Sequence, residues 1–372
     1  MHVLGRDDDA TAAQLPTGRV GTYRARDGSE GAAVGLDFDR PHAGVVVGKR
    51  GYGKSYTLGV VAESAARTAG VAPVVVDPLG VFRGLSAGGD VPARVVEKPV
   101  VRADALPPQA WPALFDLSTT DPAGALLWEA ATHAGTLDGM RTHVADASAD
   151  RGTRRAATNH LDVAAAWGVF DPDGDDPASL ASGPATVLDL AGYDPGPMNA
   201  VVRVVARSLY DARLDGRLDR LPWLLVDEAH VFLDGLAAAA LETLFTRGRS
   251  PGVTLVAATQ RPSVLPDVAI SQADLLFAHR LTAVRDVDAL SAARPTYLDG
   301  TIRDRLPETP GHALVVDDAT ESVHDVRVRE RATPHGGESP RASEMRPDAS
   351  ADAVESRTHA GTERTETDVY GA

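Results

Sequence analysis

The sequence predicts an α/β fold built on a mostly parallel central sheet, and three observations carry that reading. The apolar run AGVVV from Ala43 breaks into a glycine-rich turn, continues as a helical pattern, YTLGVVAESAART, and returns as a second apolar run, Val71–Val76. Strand, helix and strand of those lengths read as a βαβ unit. Further runs at Ala185–Leu190, Trp223–Val226 and Val253–Ala258 have the unbroken hydrophobicity of strands covered on both faces. Between the second and third runs, residues 107–182 read as a mostly helical insertion, interrupted by the acidic loop FDPDGDDP. The first 35 residues, with strand-like pieces at Arg19–Ala25 and Ala32–Phe38, read as a short N-terminal β arm. Residues 36–336 then form the core, and residues 337–372, almost devoid of large apolar side chains, a disordered acidic tail.

Composition narrows the class. At 43% hydrophobic and 24% charged over 372 residues, the chain can bury a sizeable core. Acidic residues outnumber basic ones 52 to 37, which excludes a generally basic nucleic-acid coat and leaves only local basic patches. The absence of cysteine excludes disulfides, thiolate metal sites and cysteine nucleophiles. No apolar run approaches the ~18 residues of a membrane span, and MHVLGRDDDA is no signal peptide, so a cytoplasmic protein is expected. Only Lys49, Lys54 and Lys98 are lysines. Such an acidic, lysine-poor composition looks like that of salt-accumulating halophilic archaea, or of a high-GC genome that favours arginine codons.

The decisive string is Gly48-Lys49-Arg50-Gly51-Tyr52-Gly53-Lys54-Ser55, followed by Tyr56. It satisfies G-x-x-x-x-G-K-[ST], follows a buried strand and opens a helix, as a phosphate-binding loop requires. Glycines let backbone N–H groups turn inward around phosphate oxygens, and the helix N-terminus adds its positive end. Lys54 would reach the β/γ-phosphates, and the Ser55 hydroxyl would ligate Mg²⁺. ATP is favoured over GTP only by default, since no N-K-x-D base-reading segment is present.

A second motif supplies the reaction. In LPWLLVDEAHVF an apolar strand ends in Asp227-Glu228, a pair able to hold Mg²⁺ and polarise an attacking water, respectively. VTLVAATQRPS ends in Thr259-Gln260, where a polar side chain could sense the γ-phosphate, Gln260 ahead of Thr259. A DEAH-box helicase would need a second domain after the box. Only about 100 residues separate His230 from the tail, too few for one.

In combination, GKRGYGKS, VVVDPLG, VLDLAGYD, LLVDEAHVFL, TRGRSPGVTLVAATQRPSVLPDVAISQADLLFAHRLT and the closing LPETPGHALVVDD resemble the HerA/FtsK superfamily of ATPases, in its HerA-like branch, over roughly residues 36–336. The resemblance implies a RecA-like fold, a hexameric ring with ATP between subunits, and double-stranded DNA moved through the pore. Carried over by position, Lys54 and Ser55 match the phosphate and Mg²⁺ ligands, Asp227 and Glu228 the metal-binding and catalytic carboxylates, and Gln260 the polar sensor. Arg249 matches an arginine that acts in trans on a neighbour's ATP, with Arg247 and Arg261 as competitors. There are departures. The first 35 residues are too short for the family's N-terminal barrel, which helps dock a nuclease partner, and Val81 stands where an acidic residue follows the DPLG glycine. Two other functions stay open, a genome-packaging ATPase of a virus or mobile element and a nucleotide-binding switch that moves nothing.

Weaker signals point to structure. FDPDGDDP has its glycine misplaced for a calcium loop and reads as a solvated acidic turn. The eleven histidines show no paired metal-binding spacing. Arg203 and Arg207, at i and i+4, read as a solvated helix face.

Overall fold

In a computed structural model of the chain, residues 1–6, 15–24, 29–174, 176–292, 297 and 301–337 are described. The expected disordered tail lies outside the described residues except for Gly337. Met1–Gly336 makes one compact unit. Its strands are β1 (His2–Leu4), β2 (Thr17–Arg24), β3 (Glu30–Asp37), β4 (Ala43–Val47), β5 (Val71–Asp77), β6 (Ala93–Val96), β7 (Ala185–Asp189), β8 (Leu221–Val226), β9 (Thr254–Thr259), β10 (Leu275–Ala278), β11 (His312–Asp317) and β12 (Ser322–Val328). They join in one sheet of order β1-β3-β2-β12-β11-β10-β4-β9-β8-β5-β7-β6. From β10 to β6 every pairing is parallel. From β10 through β11, β12 and β2 to β3 the pairings are antiparallel. The fold class is as expected, a mostly parallel sheet. Strand β3 runs past residue 35, so the N-terminal arm is continuous with the core sheet.

The helices are α1 (Lys54–Ala66), α2 (Ala110–Ala113), α3 (Pro122–His133), α4 (Leu137–Asp146), α5 (Arg151–Ala166), α6 (Pro195–Leu214), α7 (His230–Leu233), α8 (Ala238–Arg247), α9 (Asp267–Ser271), α10 (Val284–Ala292) and α11 (Ile302–Arg305). The central strands bury alternate residues in two different cores. Val45, Val47, Val74, Val76, Leu224 and Val226 face a core shared with α6, α8 and the helical insertion. Val46, Val75 and Leu225 face the other, shared with α1 through Leu58, Val61 and Ala62. Period-2 side-chain alternation and burial on both faces together explain the uninterrupted apolar runs. The insertion is helical as expected, with α5 started by Asp150, whose carboxylate accepts from Gly152 N and Thr153 N. Arg203 corrects the expectation for its helix. It is half-buried and donates to Leu236 O at 2.7 Å, anchoring the loop before α8, while Arg207 stays exposed and pairs with Asp211.

After β12 the chain runs as a strap across α1. Glu63, completely buried, accepts from Arg329 Nη1 (2.7 Å), Ala332 N (3.1 Å), Thr333 N (3.0 Å) and Thr333 Oγ1 (2.7 Å), and Arg331 Nε lies at 3.5 Å. The strap leaves no room on its path. A Cβ on Gly59 would stand 2.7 Å from the Arg331 guanidinium, and one on Gly84 2.2 Å from Pro334 O. Burial pushes the Glu63 carboxyl up, but the bonds from Thr333, Ala332 and Arg329 outweigh it and hold it below the ordinary value. A depressed folded pKa stabilises the protein at neutral pH and is lost as pH falls through it. Glu63→Ala is therefore expected to cost about 3–5 kcal/mol in chemical denaturation, since it strands Arg331 and two backbone donors. Glu63→Gln should flatten the fall in stability below pH ~4.5; an unchanged acid limb would contradict this account.

Candidate nucleotide-binding site

The parallel block brings the C-terminal ends of β4, β9 and β8 to one edge. Val47 is level with Thr259 on one side and Ala278 on the other. β4 turns there into Gly48–Gly53, and α1 begins at Lys54. Gly51 and Gly53 hold φ of +81° and +112°, a backbone that only glycine adopts without strain. Gly53 caps α1 with no side-chain hydrogen bond, so the first helical N–H groups remain directed at the loop.

Four side chains meet behind this loop. Ser55 Oγ donates to Asp227 Oδ2 at 2.7 Å. Asp227 Oδ1 and Glu228 Oε2 are buried without hydrogen-bond partners. Lys54 is buried too, and among the described residues its Nζ hydrogen-bonds only to Lys49 O, at 3.5 Å. Burial lowers the Lys54 pKa against the pull of Glu228 and Asp227. Burial likewise pushes Asp227 up to about 6, against the Ser55 hydrogen bond and with Glu228 adding to the rise. Glu228 is raised by burial, with Lys54 and Arg50 opposing. Its backbone sits at φ +46°, a strained setting for a non-glycine residue. Carboxylate oxygens without hydrogen bonds, a hydroxyl and a lysine beside a glycine loop and a helix N-terminus fit a Mg²⁺-nucleotide, since hard oxygen donors suit that ion.

The structure adds residues that sequence reasoning missed. His230 Nδ1 lies 3.3 Å from Glu228 Oε2 and 3.3 Å from Thr259 Oγ1, joining the acidic pair to the end of β9. Its pKa is lowered by burial, then by Arg261 and Lys54. His279 lies under the loop, where a Cβ on Gly48 would stand 2.6 Å from its own Cβ. Its Nδ1 is 2.7 Å from His312 O and its Nε2 2.9 Å from Thr57 Oγ1. Those partners assign the tautomer: Nδ1–H donates to the carbonyl and Nε2 accepts from the hydroxyl. Burial pushes His279 down to about 4, so the strut is neutral. Lys49 Nζ sits 4.5 Å from the Tyr52 ring centre, and the Arg280 guanidinium 6.0 Å from it.

The expected residues divide by place. Gly48, Lys49, Arg50, Gly51, Tyr52, Gly53, Lys54 and Ser55 form the loop and the helix start. Gln260 is half-buried and follows Thr259, the β9 residue paired with Val47 just before the loop. Tyr56 is committed elsewhere, its hydroxyl accepting from Arg331 N at 2.7 Å. Asp77 accepts from Leu79 N, Val81 N and Phe82 N, which makes it the organiser of its own turn. Arg249 is at the opposite end of the sheet. Its Nη2 is 3.5 Å from Gln272 Oε1 and its Nη1 3.9 Å from Asp274 Oδ2, while Asp274 Oδ1 accepts from Ala43 N at the start of β4. Five strand residues, about 15 Å, separate that end from the loop. Arg261, whose N donates to Thr259 Oγ1, lies at the site itself.

No protein-family model matches the chain, and no curated protein does. Solved structures do. VirB4 of Thermoanaerobacter pseudethanolicus superposes with a TM-score of 0.63 at 16% identity, over 87% of this chain and 98% of that one. The bacterial conjugative coupling protein TrwB, with bound sulphate, gives 0.55 at 18% identity, over 87% and 97%. TrwB in complex with ADP and Mg²⁺ gives 0.53 at 17%, over 78% and 87%. The chain shares the fold of these structures, a mostly parallel α/β fold of the RecA-like P-loop type. Among the described residues of this chain no helix is long and apolar enough to cross a membrane.

The buried Asp227 carboxyl has a consequence for stability. A carboxyl whose pKa is raised in the folded state destabilises the fold progressively as pH rises from about 4 to about 6. Asp227→Asn should make the ligand-free protein more stable by about 2–3 kcal/mol at pH 7 and by nothing below pH ~4. Denaturation at both pH values tests this, and equal or lower stability of the variant at pH 7 would refute it.

Proposed function

We propose that this chain is a Mg²⁺-dependent ATPase that assembles as a homo-hexameric ring in the cytoplasm and uses hydrolysis to move double-stranded DNA. The observation that carries the reading is the Ser55–Asp227 bond, with Lys54 and the unpartnered oxygens of Asp227 and Glu228 gathered behind an open glycine loop. The fold shared with a conjugative coupling protein supports DNA as the cargo.

On this reading the loop N–H groups and Lys54 bind the β/γ-phosphates of ATP. Mg²⁺, held by Ser55 and Asp227, supplies charge neutralisation on the phosphate oxygens when bound. Glu228 orients water for in-line attack on the γ-phosphorus and accepts its proton as the bond to the bridging oxygen breaks, releasing ADP and phosphate. Gln260, directly after β9, contacts the γ-phosphate on this reading. His230 holds Glu228 in register with the β9 end. Arg249, remote from its own loop, acts on the ATP of a neighbouring subunit. The acidic composition directs DNA contact to local patches, and in molar salt, where the Debye length is ~3 Å, that contact must be short-range.

ATP hydrolysis in molar KCl is expected to rise several-fold with linear duplex DNA. Lys54→Ala and Glu228→Gln should each lower it at least about a hundredfold. Hydrolysis indifferent to DNA would replace the motor reading with a nucleotide switch. Arg249→Ala and Lys54→Ala proteins, each inactive alone, should recover activity when mixed, because some interfaces then join an intact loop to an intact arginine. No recovery in mixed rings would remove Arg249 from the trans role.

A further inference from the structure

A second cluster of chemically capable side chains lies at the other end of the sheet. Asp317 ends β11 and His324 lies in β12. Their register pairs Asp317 with Ser322 and Val315 with His324, so Asp317 and His324 are diagonal neighbours on one face. His2 comes from β1, which pairs with β3 and stands three places from β12 in the strand order. The sheet nevertheless curls far enough to bring the His2 ring centre to 4.9 Å from that of His324, with Tyr23 against both rings. Gly5 N completes the closure by donating to Asp317 Oδ2 at 2.9 Å. One ligand atom from each of His2, Asp317 and His324 lies within 4.8 Å of the other two.

The cluster is short of positive charge. Asp317 is fully buried, and its carboxylate accepts only from the neutral donors Gly5 N and Ala319 N, forming no ion pair among the described residues. A buried carboxylate without a counter-charge is costly. His2 Nε2 is also buried and has no hydrogen-bond partner. The second ring is held in place, with His324 Nε2 2.6 Å from Ser322 Oγ. Two imidazoles and one carboxylate make a donor set of borderline softness, suited to Zn²⁺ and its neighbours and poor for Ca²⁺ or Mg²⁺.

We propose that His2, Asp317 and His324 bind one divalent transition-metal ion of the Zn²⁺ class, which fastens the first strand to the β11–β12 hairpin. Metal–ligand bonds of 2.0–2.2 Å place tetrahedral ligands about 3.4 Å apart, so the three groups close by roughly 1 Å, within reach of side-chain torsions of the half-buried His2 and His324. Water completes the coordination. The ion supplies the charge that Asp317 lacks. Asp317 is level with Leu275 at the start of β10, so the site lies at the end of the sheet away from the phosphate loop, and hydrolysis does not depend on it.

The test uses the untagged full chain, stripped with chelator. Co²⁺ is expected to bind at one equivalent with a visible d–d absorption band, and Zn²⁺ to displace it. Saturating Zn²⁺ should raise the thermal midpoint by several degrees. His2→Ala and His324→Ala should each weaken Zn²⁺ binding more than about tenfold in calorimetry and abolish the thermal shift. His143→Ala removes one ring of the other stacked histidine pair, His133–His143, and should leave both unchanged. Absence of the Co²⁺ band, or binding unaffected by His2→Ala while His143→Ala abolishes it, would overturn the proposal.

Discussion

The candidate nucleotide site depends on one topological constraint, the position of β9 between β4 and β8. Parallel strands end at the same edge, so three consecutive strands in space present the glycine loop, the Thr259-Gln260 exit and the Asp227-Glu228 pair side by side. No covalent neighbour brings these groups together, since Ser55 and Asp227 are 172 residues apart. The two cores that clamp the sheet from both sides hold the strands in register. Slippage by one residue would reverse every buried side chain in β9 and withdraw Thr259 from His230.

That rigidity is what allows the site to keep groups that would be unfavourable elsewhere. Lys54 and Asp227 are buried and Glu228 half-buried, the two carboxylates each with an oxygen that accepts no hydrogen bond, and Glu228 holds a left-handed backbone. Such features persist only where the surroundings over-determine them. The strap over α1 contributes from behind. Glu63 collects backbone and side-chain donors from Arg329 to Thr333, and Tyr56, next to Ser55, binds the Arg331 amide. Helix α1 is thus fixed on the face opposite its phosphate-directed end, and His279 supports the loop from β10. The loop itself keeps open space at Gly51, where an added Cβ would meet nothing within 4 Å.

The parts of this arrangement legible in the sequence are those encoded locally. The loop, the DEAH strand and the buried runs each declare themselves within about ten residues, because a glycine turn, a strand-end carboxylate and two-face burial leave compositional marks. His230 was visible as a letter in DEAH, yet its function as a bridge depends on β9 being adjacent to β8. His279 sits in LLFAHRL with nothing to distinguish it from a polar strand exit. Arg203 looked solvated because i,i+4 spacing reports a helix face and not what covers it. His2 and His324 lie 322 positions apart in the sequence, beyond any spacing rule, and only the curl of the antiparallel strands makes them neighbours.

The far end of the sheet bears on how a ring could be coordinated. Asp274 receives Ala43 N on one oxygen and His42 Nδ1 on the other, with Arg249 at 3.9 Å. Ala43 opens the strand whose other end is the phosphate loop. Under the trans role proposed for it, Arg249 is therefore referenced, through one carboxylate, to the strand that carries its own subunit's loop. A shift of β4 along its axis on nucleotide binding would be delivered to Asp274 with little loss, because a fully buried five-residue strand has no slack to absorb it. Under the proposed trans role, the occupancy of one site is thereby coupled to the chemistry of the next through a single rigid element, without requiring the helical insertion or the N-terminal arm to move.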